Sequence, residues 1–249
     1  MCPIKVIGFD LDDCLFDSTG LSDRARIKGI DAMISLGLKI EREKALRIIK
    51  EIVEEYGSNS SKHYNHFFRR LNNIDANIEF VSYNNRYKYI AAAVMAYHEE
   101  KVRSIRLYDD VEECLIGLKK LFIKTAIITD GIPIKQYEKI LRLKVDKLID
   151  LVVISDEIGI KKPNPDLFKY WLKKFDIEGQ QAIYIGDRID KDIVPANLND
   201  IYSVYLHRGG KYDTYDAKLN AGVEYKPDYE ISNLNEIFYI ITEINNKEI

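Results

Sequence analysis

The sequence predicts an α/β fold: a parallel sheet flanked by helices, with an all-helical segment inserted after the first strand. Three observations predict it. Short, branched apolar runs alternate with amphipathic stretches near both ends of the chain; residues 19–105 show helical spacing almost throughout; and the first apolar run stops abruptly in three acids, Asp10, Asp12 and Asp13.

The strand candidates are Val6-Phe9, Thr125-Ile128, Leu151-Ile154, Ala182-Ile185 and Ile201-Leu206. They are apolar over most of their length rather than alternating, as suits strands covered on both faces. Between them the apolar spacing predicts helices at Asp110-Leu121, Ile134-Leu143, Pro165-Phe175 and Lys191-Leu198. Such β-α repetition calls for right-handed crossovers in a parallel sheet. The inserted block reads as helices over Ser22-Leu36, Arg42-Tyr56, Lys62-Leu71 and Glu79-Val102. In the second of these, Ala45, Leu46, Ile49 and Val53 are expected to form the buried stripe. Because the block interrupts the α/β pattern just after the acids, it reads as a lid over the strand ends. The closing Asn-Asn-Lys-Glu-Ile reads as a frayed tail.

Composition narrows the function classes. With 37 basic and 40 acidic residues and a net charge of -3, the chain lacks the basic excess of a nucleic-acid binder. No apolar run approaches the roughly 18 residues of a membrane span, so no membrane partner is expected. Cys2, Cys14 and Cys114 form no CxxC pair, which points to neither a zinc site nor a disulfide framework and suits a reducing cytoplasm.

Ligands of open α/β sheets bind beyond the carboxyl ends of the strands. The residues there are Asp10 and Asp12, then Thr129-Asp130-Gly131, then Lys161-Lys162-Pro163, then Gly186-Asp187 with Asp192 following. Taken singly, each has an ordinary reading as turn, helix cap or solvated loop. Together they suit phosphoryl transfer. Thr129 can hold phosphate oxygens and Lys162 can neutralise them, while Asp10, Asp187 and Asp192 offer oxygen ligands to Mg²⁺. The Asp10 carboxylate can then attack phosphorus, with Asp12 protonating the leaving oxygen.

These stretches resemble the motifs of the haloacid dehalogenase (HAD) superfamily, in the phosphoglycolate phosphatase-like branch with a helical cap. Asp10-Leu11-Asp12-Asp13-Cys14 is similar to D-x-D-x-T, Ile127 to Gly131 to the second motif, Gly159 to Pro165 to the third, and Gly186 to Asp192 to G-D-x-x-x-x-D. The resemblance implies a Rossmann-like core from residues 1–18 and 106–249, and a cap over 19–105 that selects substrate. It implies Asp10 as nucleophile, Asp12 as acid/base, and Thr129, Asp130 and Lys162 at the phosphate. It gives Mg²⁺ to Asp10, Asp187, Asp192 and the backbone carbonyl of Asp12. The segment Pro227 to Leu234 resembles a late strand and turn of this branch. Cys14 departs from the pattern: it replaces a threonine that supports the Asp10 loop, and a thiol is the poorer donor.

The expected activity is Mg²⁺-dependent hydrolysis of a small phosphate ester, of sugar phosphate, phosphoglycolate or nucleotide type. A phosphomutase, or a non-catalytic phosphate-binding relative, remains an alternative. A signalling receiver module is disfavoured by Asp12 and by the inserted block. In the cap, His63, His66 and Arg70 share a helix face and are candidates for substrate contact. Arg208 is expected in an exposed loop after the fifth strand.

Overall fold

A computed structural model describes residues 3–58, 60–74, 85–210 and 226–246. Cys2, the first residues of the helix expected from Glu79, and the terminal 247–249 lie outside them. The chain divides into two compact units, one of Met1–Thr19 with Ile105–Ile249 and the other of Gly20–Ser104.

The first unit is built on a six-stranded, wholly parallel sheet. Its strands are β1 (Val6–Phe9), β2 (Lys124–Thr129), β3 (Leu151–Ile154), β4 (Ala182–Gly186), β5 (Tyr202–Leu206) and β6 (Tyr229–Ile231), in the spatial order β3-β2-β1-β4-β5-β6. The opening strand is thus central, with Phe9 level with Ile127 of β2 and Ile185 of β4. Residues Val6, Phe9, Ile127 and Ile185 are all buried, which is why these runs are apolar on both faces. On one face Val6, Ala126, Ile128, Val153 and Tyr184 pack against Leu167, Phe168 and Trp171 of the helix Asp166–Phe175. The helix Val111–Lys120 lies against β2 and buries Val111, Cys114, Leu115 and Leu118.

The second unit is helical. It comprises most of α1 (Ser18–Ser35), then α2 (Arg42–Tyr56), α3 (His63–Ile74) and α4 (Arg86–Ser104). Its core gathers Ile30, Met33, Ile48, Ile49, Ile52, Phe67, Phe68 and Ala93. Two expectations are corrected here. The buried stripe of α2 is Ala45, Ile48, Ile49 and Ile52, which pack with Phe67, Phe68 and Leu71 of α3, and Leu46 and Val53 are only half-buried. Helix α1 starts at Ser18 rather than Ser22 because the Asp13 carboxylate accepts from the Thr19 backbone N–H at 2.7 Å and from its hydroxyl at 2.6 Å. That satisfies a donor that a helix start otherwise leaves unpaired. Among the described residues, no helix is long and apolar enough to cross a membrane.

Candidate active site

All the strand-end residues singled out above belong to the first unit. The Asp10 backbone N–H donates to the Ile185 carbonyl at 2.9 Å, so the pairing of β1 with β4 continues just past Phe9 and carries Asp10 to the rim of the sheet. At that rim Asp10, Asp187 and Asp192 bring one carboxylate oxygen each within 4.8 Å of one another. Lys162 reaches in from the loop after β3, its Nζ 2.6 Å from Asp10 Oδ1 and 2.7 Å from Asp192 Oδ1. The Tyr184 hydroxyl, 2.9 Å from Nζ, donates onward to the Ile128 carbonyl.

Asp192 owes its place to local backbone. A π-helical turn over Ile189–Ile193 follows Gly186-Asp187-Arg188, where the simple periodicity predicted one helix from Lys191 to Leu198. The turn folds the Asp192 side chain back so that its Oδ2 accepts from the Arg188 backbone N–H at 3.1 Å. A side chain at position 186 would overlap the Asp192 carboxyl, so glycine is required there for close approach.

The electrostatics of the rim follow from crowding. Burial, reinforced by Asp192, Asp10 and Asp13, pushes the Asp187 carboxyl up to about 9. Burial also raises Asp10, to about 7, against the pull of Lys162. Burial works against the Lys162 ammonium, but Asp10 and Asp192 outweigh it, so its proton is held well above the usual lysine range. Three crowded carboxyl groups with one ammonium, bonded to Asp10 and Asp192, are short of positive charge. An all-oxygen donor set of that kind fits a hard divalent cation such as Mg²⁺.

Asp12 faces other partners. Lys139 Nζ sits 2.7 Å from both of its oxygens, and Gln136 Nε2 lies 3.2 Å from Oδ2. Burial pushes this carboxyl up, but the Lys139 charge and bonds from Lys139, Ser18 and Gln136 outweigh it and hold it below the ordinary aspartate value. The Asp12 side chain is therefore separate from the three-carboxylate cluster. Gln136 also joins Asp12 to Thr129, lying 2.6 Å from the Thr129 hydroxyl. Asp130 braces the third loop: its Oδ1 accepts from the Lys162 backbone N–H at 3.1 Å.

Sequence reasoning missed Lys139, Gln136 and Tyr184. The spacing of Gln136 and Lys139, one helical turn apart just after Thr129-Asp130-Gly131, was the available signal. Arg208 corrects an expectation: its side chain is 9% exposed and forms a bidentate pair with Asp110 at 2.8 and 3.0 Å, while Nε donates to the Cys14 carbonyl. The loop is thereby fastened to the segment that carries Asp10. Cys14 itself is buried, with Sγ 3.8 Å from the Ile185 carbonyl, and burial pushes its thiol far above the usual range.

The cap candidates lie in the helical unit, each with partners there. His63 Nε2 is 2.8 Å from the Gly57 carbonyl, and burial lowers its pKa. The His66 ring stacks on Tyr56 with centroids 3.8 Å apart, and Arg70 pairs with Glu51 and Glu55.

A family model described as haloacid dehalogenase-like hydrolase matches residues 41–205. The glyceraldehyde 3-phosphate phosphatase of Pyrococcus furiosus is 39% identical over 247 residues, covering 98% of this chain and 96% of its own. Its counterpart in Methanopyrus kandleri is 36% identical over 243 residues, covering 97% and 98%. Among solved structures, a HAD phosphatase from Thermococcus onnurineus superposes with a TM-score of 0.61 at 23% identity, over 96% of this chain and 98% of that one. A 2-haloacid dehalogenase from Pseudomonas syringae gives 0.59 at 20% identity, over 99% and 100%. The motifs at the strand ends, the parallel sheet and these likenesses lead to one conclusion: the chain belongs to the haloacid dehalogenase-like hydrolase family.

Proposed function

We propose that this chain is a Mg²⁺-dependent phosphatase of small phosphorylated metabolites, with glyceraldehyde 3-phosphate the first substrate to try. The observation that carries the reading is the rim cluster of Asp10, Lys162, Asp187 and Asp192, with Asp12 and Thr129 linked beside it through Gln136. Relatives matched over nearly their whole length are phosphatases of that triose phosphate, which supports the choice of substrate.

In this reading Asp10 attacks the phosphorus and becomes an aspartyl phosphate while the ester oxygen leaves. Asp12 must first take up a proton, against the Lys139 pairing that favours its carboxylate, to give that oxygen one; the carboxylate left behind then takes a proton from the water that hydrolyses the acyl phosphate. Lys162 and the Thr129 hydroxyl hold the transferring phosphoryl oxygens. Asp10, Asp187, Asp192 and the Asp12 carbonyl would hold Mg²⁺, which would supply the positive charge that lets a carboxylate approach an anion. The helical unit, interposed between the segments of the first, acts as a cap that selects substrate. A reducing cytoplasm suits the buried free thiols of Cys14 and Cys114.

A panel of phosphorylated metabolites tests the substrate. Hydrolysis of glyceraldehyde 3-phosphate at a kcat/KM well above that of a generic aryl phosphate is expected; no preference for it would remove that assignment. Asp12→Asn is expected to lower kcat by roughly 10²–10⁴-fold with a smaller change in KM. A rise in KM at constant kcat would make Asp12 a binding group instead.

The cluster also sets a pH dependence. Folding of the metal-free chain is favoured by protons on Asp10 and Asp187, since both pKa values are raised above the ordinary 3.8. That contribution is complete below about pH 4 and is lost as pH rises through about 7 and about 9. Added Mg²⁺ should therefore raise the melting temperature more at pH 8.5 than at pH 6, and calorimetry should show proton release on binding. Excess EDTA should abolish hydrolysis. Equal thermal shifts at both pH values, or full activity in EDTA, would remove the metal from the cluster.

A further inference from the structure

Gln136 occupies the first turn of the helix Pro133–Leu143, which follows Gly131. The Gly131 backbone has φ 134°, open to glycine and costly for other residues, and it turns the chain so that Gln136 returns beneath it. The side chain is almost wholly buried, and its Nε2 lies 2.6 Å from Thr129 Oγ1, 3.0 Å from the Asp130 carbonyl and 3.2 Å from Asp12 Oδ2.

These partners fix the identity of the atom. A carbonyl oxygen and a carboxylate can only accept, so the Gln136 atom among them is the amide nitrogen, not the amide oxygen. An amide nitrogen can only donate. Thr129 Oγ1 must therefore accept from Gln136, and its own hydrogen has to point elsewhere. Among the described residues, this is the sole hydrogen bond that the buried Thr129 hydroxyl makes.

We propose that Gln136 is a positioning residue that makes the Thr129 hydroxyl an obligate donor, aimed at the phosphoryl group. The inference rests on the phosphatase reading above and adds a division of labour to it. A threonine hydroxyl with no donor beside it can turn its hydrogen to any side. The Gln136 amide nitrogen has two hydrogens, and at 2.6 Å one of them goes to Thr129 Oγ1, so the hydroxyl hydrogen is turned away from Gln136. The donor is set before substrate arrives, and no reorientation is needed in the transition state.

The test is a double-mutant cycle on the full chain with Mg²⁺, read by aryl phosphate hydrolysis and by calorimetric binding of inorganic phosphate. Gln136→Met keeps the volume and removes the donors; Thr129→Val removes the hydroxyl; Thr129→Ser keeps it. Each of Gln136→Met and Thr129→Val should weaken kcat/KM and phosphate affinity by about 10- to 100-fold. In the Thr129→Val background Gln136→Met should cost no more than about threefold further, whereas in Thr129→Ser it should retain its full cost. Additive losses, or wild-type phosphate affinity in Gln136→Met, would overturn the proposal. Thermal melts identify a variant that has lost its fold. In that case Gln136→Leu replaces Gln136→Met in the same cycle, with the same expectations. Wild-type protein that hydrolyses no ester would sink the phosphatase reading instead, and the phosphate-binding cycle would still decide the role of Gln136.

Discussion

Asp10→Asn is expected to abolish turnover of an aryl phosphate, by about 10⁴-fold or more, while leaving the protein folded. The carboxamide has no anionic oxygen to attack phosphorus, so no acyl phosphate forms. The same substitution removes a negative charge from a crowded, buried cluster. Asparagine keeps an acceptor for Lys162, 2.6 Å away in the parent, and lightens the repulsion from Asp192 and Asp12. The metal-free variant should therefore melt no lower than the parent at pH 8, and Mg²⁺ should stabilise it less. Activity near wild type would end the covalent mechanism. A collapse of stability with lost activity would show that Asp10 is mainly structural.

Lys162→Met should have the largest effect on stability. Its ammonium is the shared partner of Asp10 and Asp192, and its side chain is 3% exposed. Removing it strands buried carboxylates, a change that typically costs about 3–5 kcal/mol. For a chain of this size that corresponds to roughly a 10 °C fall in melting temperature without metal. Lowering the pH should recover part of the loss, because protonation neutralises the stranded groups. Lys161 is the internal control. It is mostly exposed and paired to Asp156 at 3.0 Å, so Lys161→Met should move stability by no more than about 0.5 kcal/mol. Equal effects at the two positions would mean that the cluster does not depend on the buried ammonium.

The contrast between these neighbours shows what sequence can and cannot reveal. Asp10, Thr129, Lys162 and Asp187 were legible because strand ends follow from short apolar runs, and parallel sheets put their ligands there. Lys139 and Gln136 were not. In their helix the conspicuous apolar residues Ile134 and Leu141 are exposed, while Gln136, Ile140 and Leu143 are buried. Hydrophobic patterning alone would turn that helix the wrong way round. Arg208 was hidden for a related reason: a charged residue in a glycine-containing loop looks solvated until Asp110, distant in sequence, is brought beside it. The π-helical turn before Val194 is a third case, since its extra residue leaves no mark in a periodicity of 3.6.

The central position of β1 has a consequence for biogenesis. Its two hydrogen-bonding edges are completed by Lys124–Thr129 on one side and Ala182–Gly186 on the other, both far downstream. During synthesis the nascent first strand leaves the ribosome with no mate, and the second edge closes only once Gly186 has been made. The helical segment is assembled from contacts much closer in sequence, so it can consolidate in the meantime. Messages truncated before residue 124 should thus yield a protease-resistant helical fragment, with the acid-bearing strand lacking both sheet neighbours and open to chaperones.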